Sequence, residues 1–483
     1  MEYLTRSVCP VCLRRVDARY EETGPGRMEL IKNCPDHGPF RVAAWVGEPA
    51  MSGWRRPKIP SYPRRPFVEA ERGCPFDCGL CPEHGQHTCT GQIEVTARCD
   101  LGCPVCYAGS GQATMPDPDL ERLGFQLDRL WEASGACNVQ LSGGEPTLRD
   151  DLPALVGLAR RKGFAFIQVN SNGLRLGRDP GYVRALAEAG LDSVYLQFDG
   201  ADDDVYRVLR GRPCLDDKLR AVKACAGAGL GVVLVATVVR GVNLDKLGDL
   251  LRLALELGPS VRGLHLQPAA SFGRFPWDAA AAPRVTLPET MRALAGQSGG
   301  LLSVTDFHPP GCEHALCSFS AVYRRTPEGL ALIEGGGDCC APSSRALRAA
   351  PVVKQAAASV AADGGVSLAS PIAAEEGARV SRAFTARHWS APPAAEEGSE
   401  GTDQGDDFDR FLARAGLARR FTVSGMAFQD ALTLDLERVR GCCIHVVSPE
   451  GLLVPFCLYN LTALDGTPLY RGADRGVAGA ERA

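Results

Sequence analysis

The chain has 483 residues, 45% of them hydrophobic and 23% charged, with a formal net charge of −4. That length exceeds one core and predicts two to four folded units, while the mild acidity excludes the basic footprint of a nucleic-acid or anionic-membrane binder. No run of eighteen apolar residues occurs, so no transmembrane helix is expected. The opening MEYLTRSVCPVC lacks a basic stretch followed by an apolar one, so no signal peptide is expected and the protein reads as cytoplasmic.

Twenty cysteines stand out, ten of them before residue 107. A reducing compartment argues against disulfides. Close C-x2-C and C-x3-C spacings argue for metal thiolates. The isolated Cys137, Cys214 and Cys225 read as buried structural thiols.

Residues 1–47 form the first unit. CPVC (Cys9, Cys12) and NCPDHG (Cys34, His37) are two knuckle-like pairs, the pattern of a ribbon or rubredoxin-like site. The ligand set is Cys9, Cys12 and Cys34, with His37 either the fourth ligand or a turn residue. Zn or a mononuclear Fe fits equally. A unit this short needs the metal as its core.

Residues 48–90 begin with WRRPKIPSYPRRP, an extended linker. GCPFDCGLCPEHGQHTC follows. Cys74, Cys78 and Cys81 are spaced C-x3-C-x2-C, Cys89 is a candidate fourth ligand, and His84 and His87 are weaker ones.

From 91 to 275 strands and helices alternate. QIEVTA, NVQLSGG, FAFIQVNSNG, DSVYLQFDG, GVVLVATVV and VRGLHLQPA read as strands separated by amphipathic helices, six β-then-α steps. The fold class expected is α/β: a parallel sheet covered by helices, curved into a partial (β/α)6 TIM-type barrel, carrying an N-terminal metal ribbon and cysteine-rich segments. Functional residues of such a barrel sit at the C-terminal strand ends. There lie the VTARCDLGCPVCYAG loop after strand one, Gly143-Gly144-Glu145-Pro146 after strand two, and Asn170–Gly173 after strand three. Gln197 and Asp199 end strand four, Thr237 lies in strand five and Gln267 ends strand six. Taken singly, each is as readily an ordinary turn residue.

Residues 276–344 form a cysteine-containing extension with Cys312, Cys317 and the adjacent Cys339–Cys340. Residues 345–419, rich in Ala, Gly, Glu and Asp, read as a mobile linker. In the 420–483 segment, IHVV and LLVPFCLYN read as a hairpin around SPEG, carrying Cys442, Cys443, His445 and Cys457.

The loop Cys99, Cys103 and Cys106 has the spacing C-x3-C-x2-C. An iron–sulfur cube takes four thiolates, so three leave one iron open to a substrate or cofactor. With the GGEP strand end about forty residues on, these residues resemble the radical S-adenosylmethionine (SAM) superfamily. One departure is Val105 where an aromatic residue is usual, with Tyr107 just after Cys106. The resemblance covers about 91–275. It implies a [4Fe-4S] cluster on Cys99, Cys103 and Cys106 whose open iron is chelated by SAM. Reductive cleavage then gives a 5′-deoxyadenosyl radical that abstracts hydrogen from an unactivated C–H bond. It also implies that Gly143, Gly144 and Glu145 meet the methionine amino group, with Ser171, Asn172 and Thr237 as further SAM contacts. An oxygen-sensitive enzyme fed by a low-potential reductant such as ferredoxin or flavodoxin follows.

The flanking segments resemble the multi-cluster branch that includes tetraether lipid synthase and the methanopterin methylases. GCPFDCGLCPEHGQHTCT together with Cys339–Cys340 resembles the radical SAM (seleno)protein TrsS group. This implies one or two auxiliary [4Fe-4S] clusters, one on Cys74, Cys78 and Cys81. A further one draws on Cys312, Cys317, Cys442 or Cys443, and Cys457. Cys339–Cys340 reads as a redox or sulfur-handling pair, or as ligand or linker cysteines. The expected outcome is C–C bond formation or methyl/methylene transfer on an unknown substrate. Two other readings are an iron–sulfur electron carrier or scaffold without SAM turnover, against which the GGEP strand end argues, and a zinc-ribbon nucleic-acid module, against which the acidity argues.

Overall fold

The computed structural model describes residues 2–56, 60, 62–63, 65–111, 116–281, 284–310, 313–333, 358–360, 366–368, 383, 385–391 and 419–472. Strands β1 (Glu2–Val8), β2 (Arg15–Gly24), β3 (Arg27–Cys34) and β4 (Gly38–Val46) form an antiparallel meander. One face alternates as a half-buried sheet should: Ala18, Tyr20, Met28, Leu30 and Trp45 join the main apolar core through Met51 and Trp54 of the short helix α1 (Met51–Trp54). The ribbon therefore draws stability from that core as well as from a metal.

The six expected strands are present and parallel, in sequence order. They are β5 (Thr90–Thr96), β6 (Asn138–Gly143), β7 (Ile167–Ser171), β8 (Ser193–Gln197), β9 (Gly231–Val238) and β10 (Val261–Pro268). Amphipathic helices cover them. Helix α2 (Leu120–Ser134) starts at an Asp119 cap that accepts from Arg122 N and stops at Gly135, whose φ is +62°. Its Leu123, Leu127 and Leu130, spaced four and three apart, are fully buried against the sheet.

The C-terminal segment is built into this sheet. Strands β11 (Ser318–Thr326) and β12 (Gly329–Leu332) form a hairpin, and a two-stranded ladder joins β13 (Ala358–Val360) and β14 (Val366–Leu368). β15 (Arg420–Met426) then pairs parallel with β10 on one side and antiparallel with β11 on the other. The expected SPEG hairpin is present as β16 (Ile444–Val447) and β17 (Leu453–Pro455), and β16 pairs parallel with β5. Eight parallel strands result, in an eleven-stranded sheet. The reason is hydrogen bonding: both edges of a six-stranded parallel sheet leave rows of unpaired N–H and C=O groups.

Most of the stretch expected to be a mobile linker lies outside the described residues. Of the part described, 385–389 is helical, and the carbonyl of Trp389 lies where a Cβ on Gly231 would clash, at 2.2 Å.

Candidate active site and metal centres

The loop after β5 carries Cys99, Cys103 and Cys106. It is tied down on several sides. Cys99 N donates to Gly111 O at 2.9 Å, and Cys106 and Arg274 exchange backbone bonds of 2.8 and 2.9 Å. The Arg274 guanidinium donates to Cys103 O at 2.7 Å. Burial pushes the Cys99 thiol up to about 12 and raises Cys103. Buried thiols disfavour the thiolate form unless a cation accompanies it, so this donor set fits a metal cluster.

Gly143 and Gly144 pack onto the exit of β5. A Cβ on Gly143, whose φ is +123°, would lie 2.2 Å from Thr96 O, and one on Gly144 would lie 2.1 Å from Arg98 O. Gly144 N donates to Thr96 O and Glu145 N to Arg98 O, at 2.7 and 2.8 Å. The glycines thus let strand two's end lock the base of the cysteine loop.

Glu145 is 1% exposed. Its carboxylate accepts from Thr147 N, Thr147 Oγ1, Ser171 Oγ and Asn172 N, at 3.1, 2.5, 2.8 and 2.6 Å. Oε1 takes three of these bonds and Oε2 only the one from Asn172 N, so Oε2 keeps an acceptor site for an ammonium. In this structure the carboxylate braces β7 to the GGE turn. Asn172 extends the brace, its Nδ2 donating to Asp100 inside the cysteine loop at 2.7 Å.

Thr237 leads to a buried pair that sequence reasoning only half found. Asp199, fully buried, takes two 2.7 Å bonds from Arg210. Arg210 also donates to Val105 O in the cysteine loop and to Thr237 Oγ1, both at 3.0 Å. Burial works against its charge, but Asp199 more than offsets this and raises its affinity for the proton. Lys218, also fully buried, donates to Gln197 Oε1 at 2.7 Å and to the carbonyl of Asn172. Arg210, Lys218 and Arg274 carried no sequence signal. Arg207 and Arg210 share one helix, yet their side chains are 58% and 7% exposed.

Cys99, Cys103, Cys106, Gly143, Gly144, Glu145, Ser171, Asn172 and Thr237 all line one cavity of about 380 Å³. The structure thus brings together every residue proposed for the cluster loop and its cofactor.

The ribbon ligands also converge. Cys9, Cys12, Cys34 and His37 present ligand atoms within 4.8 Å of one another. Tetrahedral coordination with bonds of about 2.3 Å needs ligands about 3.8 Å apart, close to the observed 3.5 Å for Cys34 Sγ to His37 and 4.0 Å for Cys12 Sγ to Cys34 Sγ. Burial opposes ionisation of Cys34. Bonds from His37 and from the backbone N–H groups of Asp36 and His37 outweigh it and bring the thiol down to about 6.

Two further cysteine nests are separate. Cys74 and Cys78 pack beside Tyr470, whose hydroxyl accepts from Cys78 N at 3.0 Å. The β5–β16 ladder fixes Cys89 beside Cys443, with Cys89 N donating to Cys443 O at 2.8 Å. His87 Nε2 lies 3.8 Å from Cys89 Sγ. Cys317, Cys442 and Cys457 line a second, small cavity of about 30 Å³ with Arg438, whose Nε lies 3.5 Å from Cys317 Sγ. Between the alternatives Cys442 and Cys443, it is Cys442 that faces this nest. Burial pushes Cys457 up to about 12 and raises Cys442 too. Cys312, Cys339 and Cys340 lie outside the described residues.

Residues 93–254 match the family description "Radical SAM superfamily", and residues 1–46 match "HMPTM N-terminal zinc ribbon domain". A 7,8-dihydro-6-hydroxymethylpterin dimethyltransferase of Methanocaldococcus jannaschii is 30% identical over 482 residues, covering 95% of this chain and 94% of the relative. The chain belongs to the radical SAM superfamily. A probable GTP 3′,8-cyclase of Methanothermobacter thermautotrophicus is 30% identical over 187 residues, 38% of this chain and 59% of that one. Among solved structures, Streptococcus suis SuiB bound to its precursor peptide SuiA shares 14% identity over 44% of this chain and 45% of that one, with a TM-score of 0.36.

As a radical SAM protein the chain is an enzyme, using a [4Fe-4S] cluster and SAM. Its ribbon is of the zinc type by family, and its donor set takes Zn or a single Fe. No helix among the described residues is long and apolar enough to cross a membrane.

Its barrel also carries an acid sensitivity. Burial holds His265 and His388 down to about 3. Both imidazoles are neutral when folded and protonate near 6.5 when unfolded. Their contribution is complete above about pH 6.5 and falls as the pH drops toward 3, by roughly 1.4 kcal/mol per pH unit for each histidine. The urea midpoint should therefore drop between pH 6.5 and 4.5, and His265→Gln should flatten that slope. An unaltered slope in the variant would refute the assignment to His265.

Proposed function

We propose that this radical SAM enzyme reductively cleaves SAM and abstracts hydrogen from an unactivated C–H bond of a small molecule, ending in methyl or methylene transfer or C–C bond formation. When bound, the cluster and SAM together supply a 5′-deoxyadenosyl radical. The observation that carries the reading is the shared cavity: three cysteines, the GGE turn and the ends of β7 and β9 line one space. The near full-length likeness to a pterin dimethyltransferase supports methyl transfer to a heterocycle as the outcome.

In this reading Cys99, Cys103 and Cys106 hold the cluster. Gly143, Gly144, Ser171, Asn172 and Thr237 contact SAM, and Glu145 keeps the turn that meets its amino group. The Cys74/Cys78/Cys81 nest and the Cys317/Cys442/Cys457 nest each hold an auxiliary cluster, and the two relay electrons from a carrier such as ferredoxin or flavodoxin.

Anaerobic reconstitution, reduction with dithionite and addition of SAM test it. Formation of 5′-deoxyadenosine with a SAM-perturbed cluster signal in electron paramagnetic resonance is expected. Fully built, reducible clusters that neither cleave SAM nor respond to it would favour an electron carrier. Glu145→Ala should weaken SAM binding about tenfold or more, because four donors lose their shared acceptor and the turn loosens. Equilibrium binding of SAM at wild-type affinity would remove Glu145 from the site.

A further inference from the structure

The cavity does not stop at the strand ends. Its lining continues down the barrel to Cys89 and Thr90 at the opposite end of β5, about 20 Å away for seven strand residues. SAM beside the cysteine loop leaves that depth to something else.

Three aromatic rings wall the lower space. The Tyr195 centroid lies 5.6 Å from His265 and 5.8 Å from Trp389, and His265 lies 6.4 Å from Trp389. Trp389 arrives from the 385–391 segment across the start of β9. Two polar groups are left over. Gln92 is 2% exposed, and its Nε2 has no hydrogen-bond partner. On β7, Asn170 donates to Ser142 Oγ at 3.2 Å, but its Oδ1 accepts nothing. A buried donor without a partner costs about 1–3 kcal/mol, and both residues line the cavity. His265 is neutral here and bonds Ser424 Oγ through Nδ1 at 2.8 Å, which leaves its other nitrogen for a ligand.

Charge decides what the space refuses. Arg210 is the lysine-or-arginine cation among the described lining residues, and its nitrogens are bonded to Asp199, Val105 O and Thr237. Glu313 adds a carboxylate near Cys443. Among the described lining residues a phosphate would meet no available counter-charge, and it would lose its hydration.

We infer that the lower barrel binds the substrate of this enzyme as a neutral, planar heterocycle, stacked against Tyr195 and Trp389, accepting from Gln92 and donating to Asn170, and that it rejects phosphorylated forms. This rests on the proposed radical SAM reading for its chemistry, but not for its binding.

Equilibrium dialysis on the anaerobically reconstituted protein tests it, with 6-hydroxymethylpterin and its diphosphate ester as probes. The neutral ring should bind, and the diphosphate at least 100-fold more weakly. Gln92→Leu should weaken the neutral ring at least tenfold while raising the urea midpoint, because it deletes an unpartnered buried donor. A merely structural glutamine would not move the two readouts in opposite directions. Trp389→Leu should also weaken the ring. Equal or tighter binding of the diphosphate, no binding of the neutral ring, or unchanged affinity in Gln92→Leu would overturn the inference. Deoxyadenosine production by the wild type without ring binding would defeat this inference alone. Ring binding without deoxyadenosine would defeat the radical reading and leave the pocket assigned.

Discussion

Cys103→Ala should bring 5′-deoxyadenosine formation down to background, at least about a thousand-fold or ~4 kcal/mol in barrier terms. In the proposed assignment three thiolates are the loop's full supply for a cluster, and the fourth cysteine of that apolar nest, Cys214, comes from outside the loop. Cys103 sits at the centre of the anchoring: its carbonyl accepts from Arg274, and Arg210 grips the neighbouring Val105 carbonyl. Those contacts are to the backbone, so alanine keeps them and the barrel should fold. Cys74 and Cys78 pack in a different apolar cluster from Cys103, and Cys317, Cys442 and Cys457 line a cavity of their own. Iron bound there should be retained, measurable as residual iron and sulfide per chain. Undiminished deoxyadenosine in the variant would sink the cluster assignment. Loss of all iron would show that the three nests do not assemble independently.

Arg210→Met should destabilise the protein by about 3–5 kcal/mol, because it strands the fully buried Asp199 carboxylate without its partner. Asp199 also accepts from Thr237 N at 3.0 Å, so the loss reaches β9. The cysteine loop loses its bond at Val105 in the same step. The double variant Asp199→Leu/Arg210→Met should recover much of the loss, since it removes the stranded charge rather than half of a pair. Urea unfolding of the two single variants and the double closes the cycle. A single variant within about 0.5 kcal/mol of wild type would mean that the pair is solvated in solution.

The sequence was enough for the barrel. Each of β5 to β10 is a short apolar run between amphipathic helical stretches, and that periodicity is local information. The cysteine loop and the GGE turn were equally legible, because their chemistry is fixed by spacing within one loop. The ribbon ligands belong with them: knuckles are tight turns, and their thiols converge as soon as β2 and β3 form a hairpin.

Long-range pairing was not legible. β15 and β16 lie about 160 and 350 residues from the parallel strands they join, and no local pattern names a partner across such a separation. Their pairing is what sets Cys89 beside Cys443 and turns Cys442 toward the cavity of Cys317 and Cys457. Burial of charge was hidden for the same reason. Arg210 and Arg207 look alike on one helix, and only the surrounding packing puts the first against Asp199 and leaves the second in water. The grouping of Cys99, Cys103 and Cys106 was readable from local spacing, and a SAM-cluster role for them only from the resemblance to the radical SAM superfamily, since Cys74, Cys78 and Cys81 share that spacing. What Glu145 touches, which distant cysteines meet, and that Arg210 in the cavity wall is already paired with Asp199 were settled by tertiary packing. Those depend on hydrogen bonds and desolvation between residues that are neighbours only after folding.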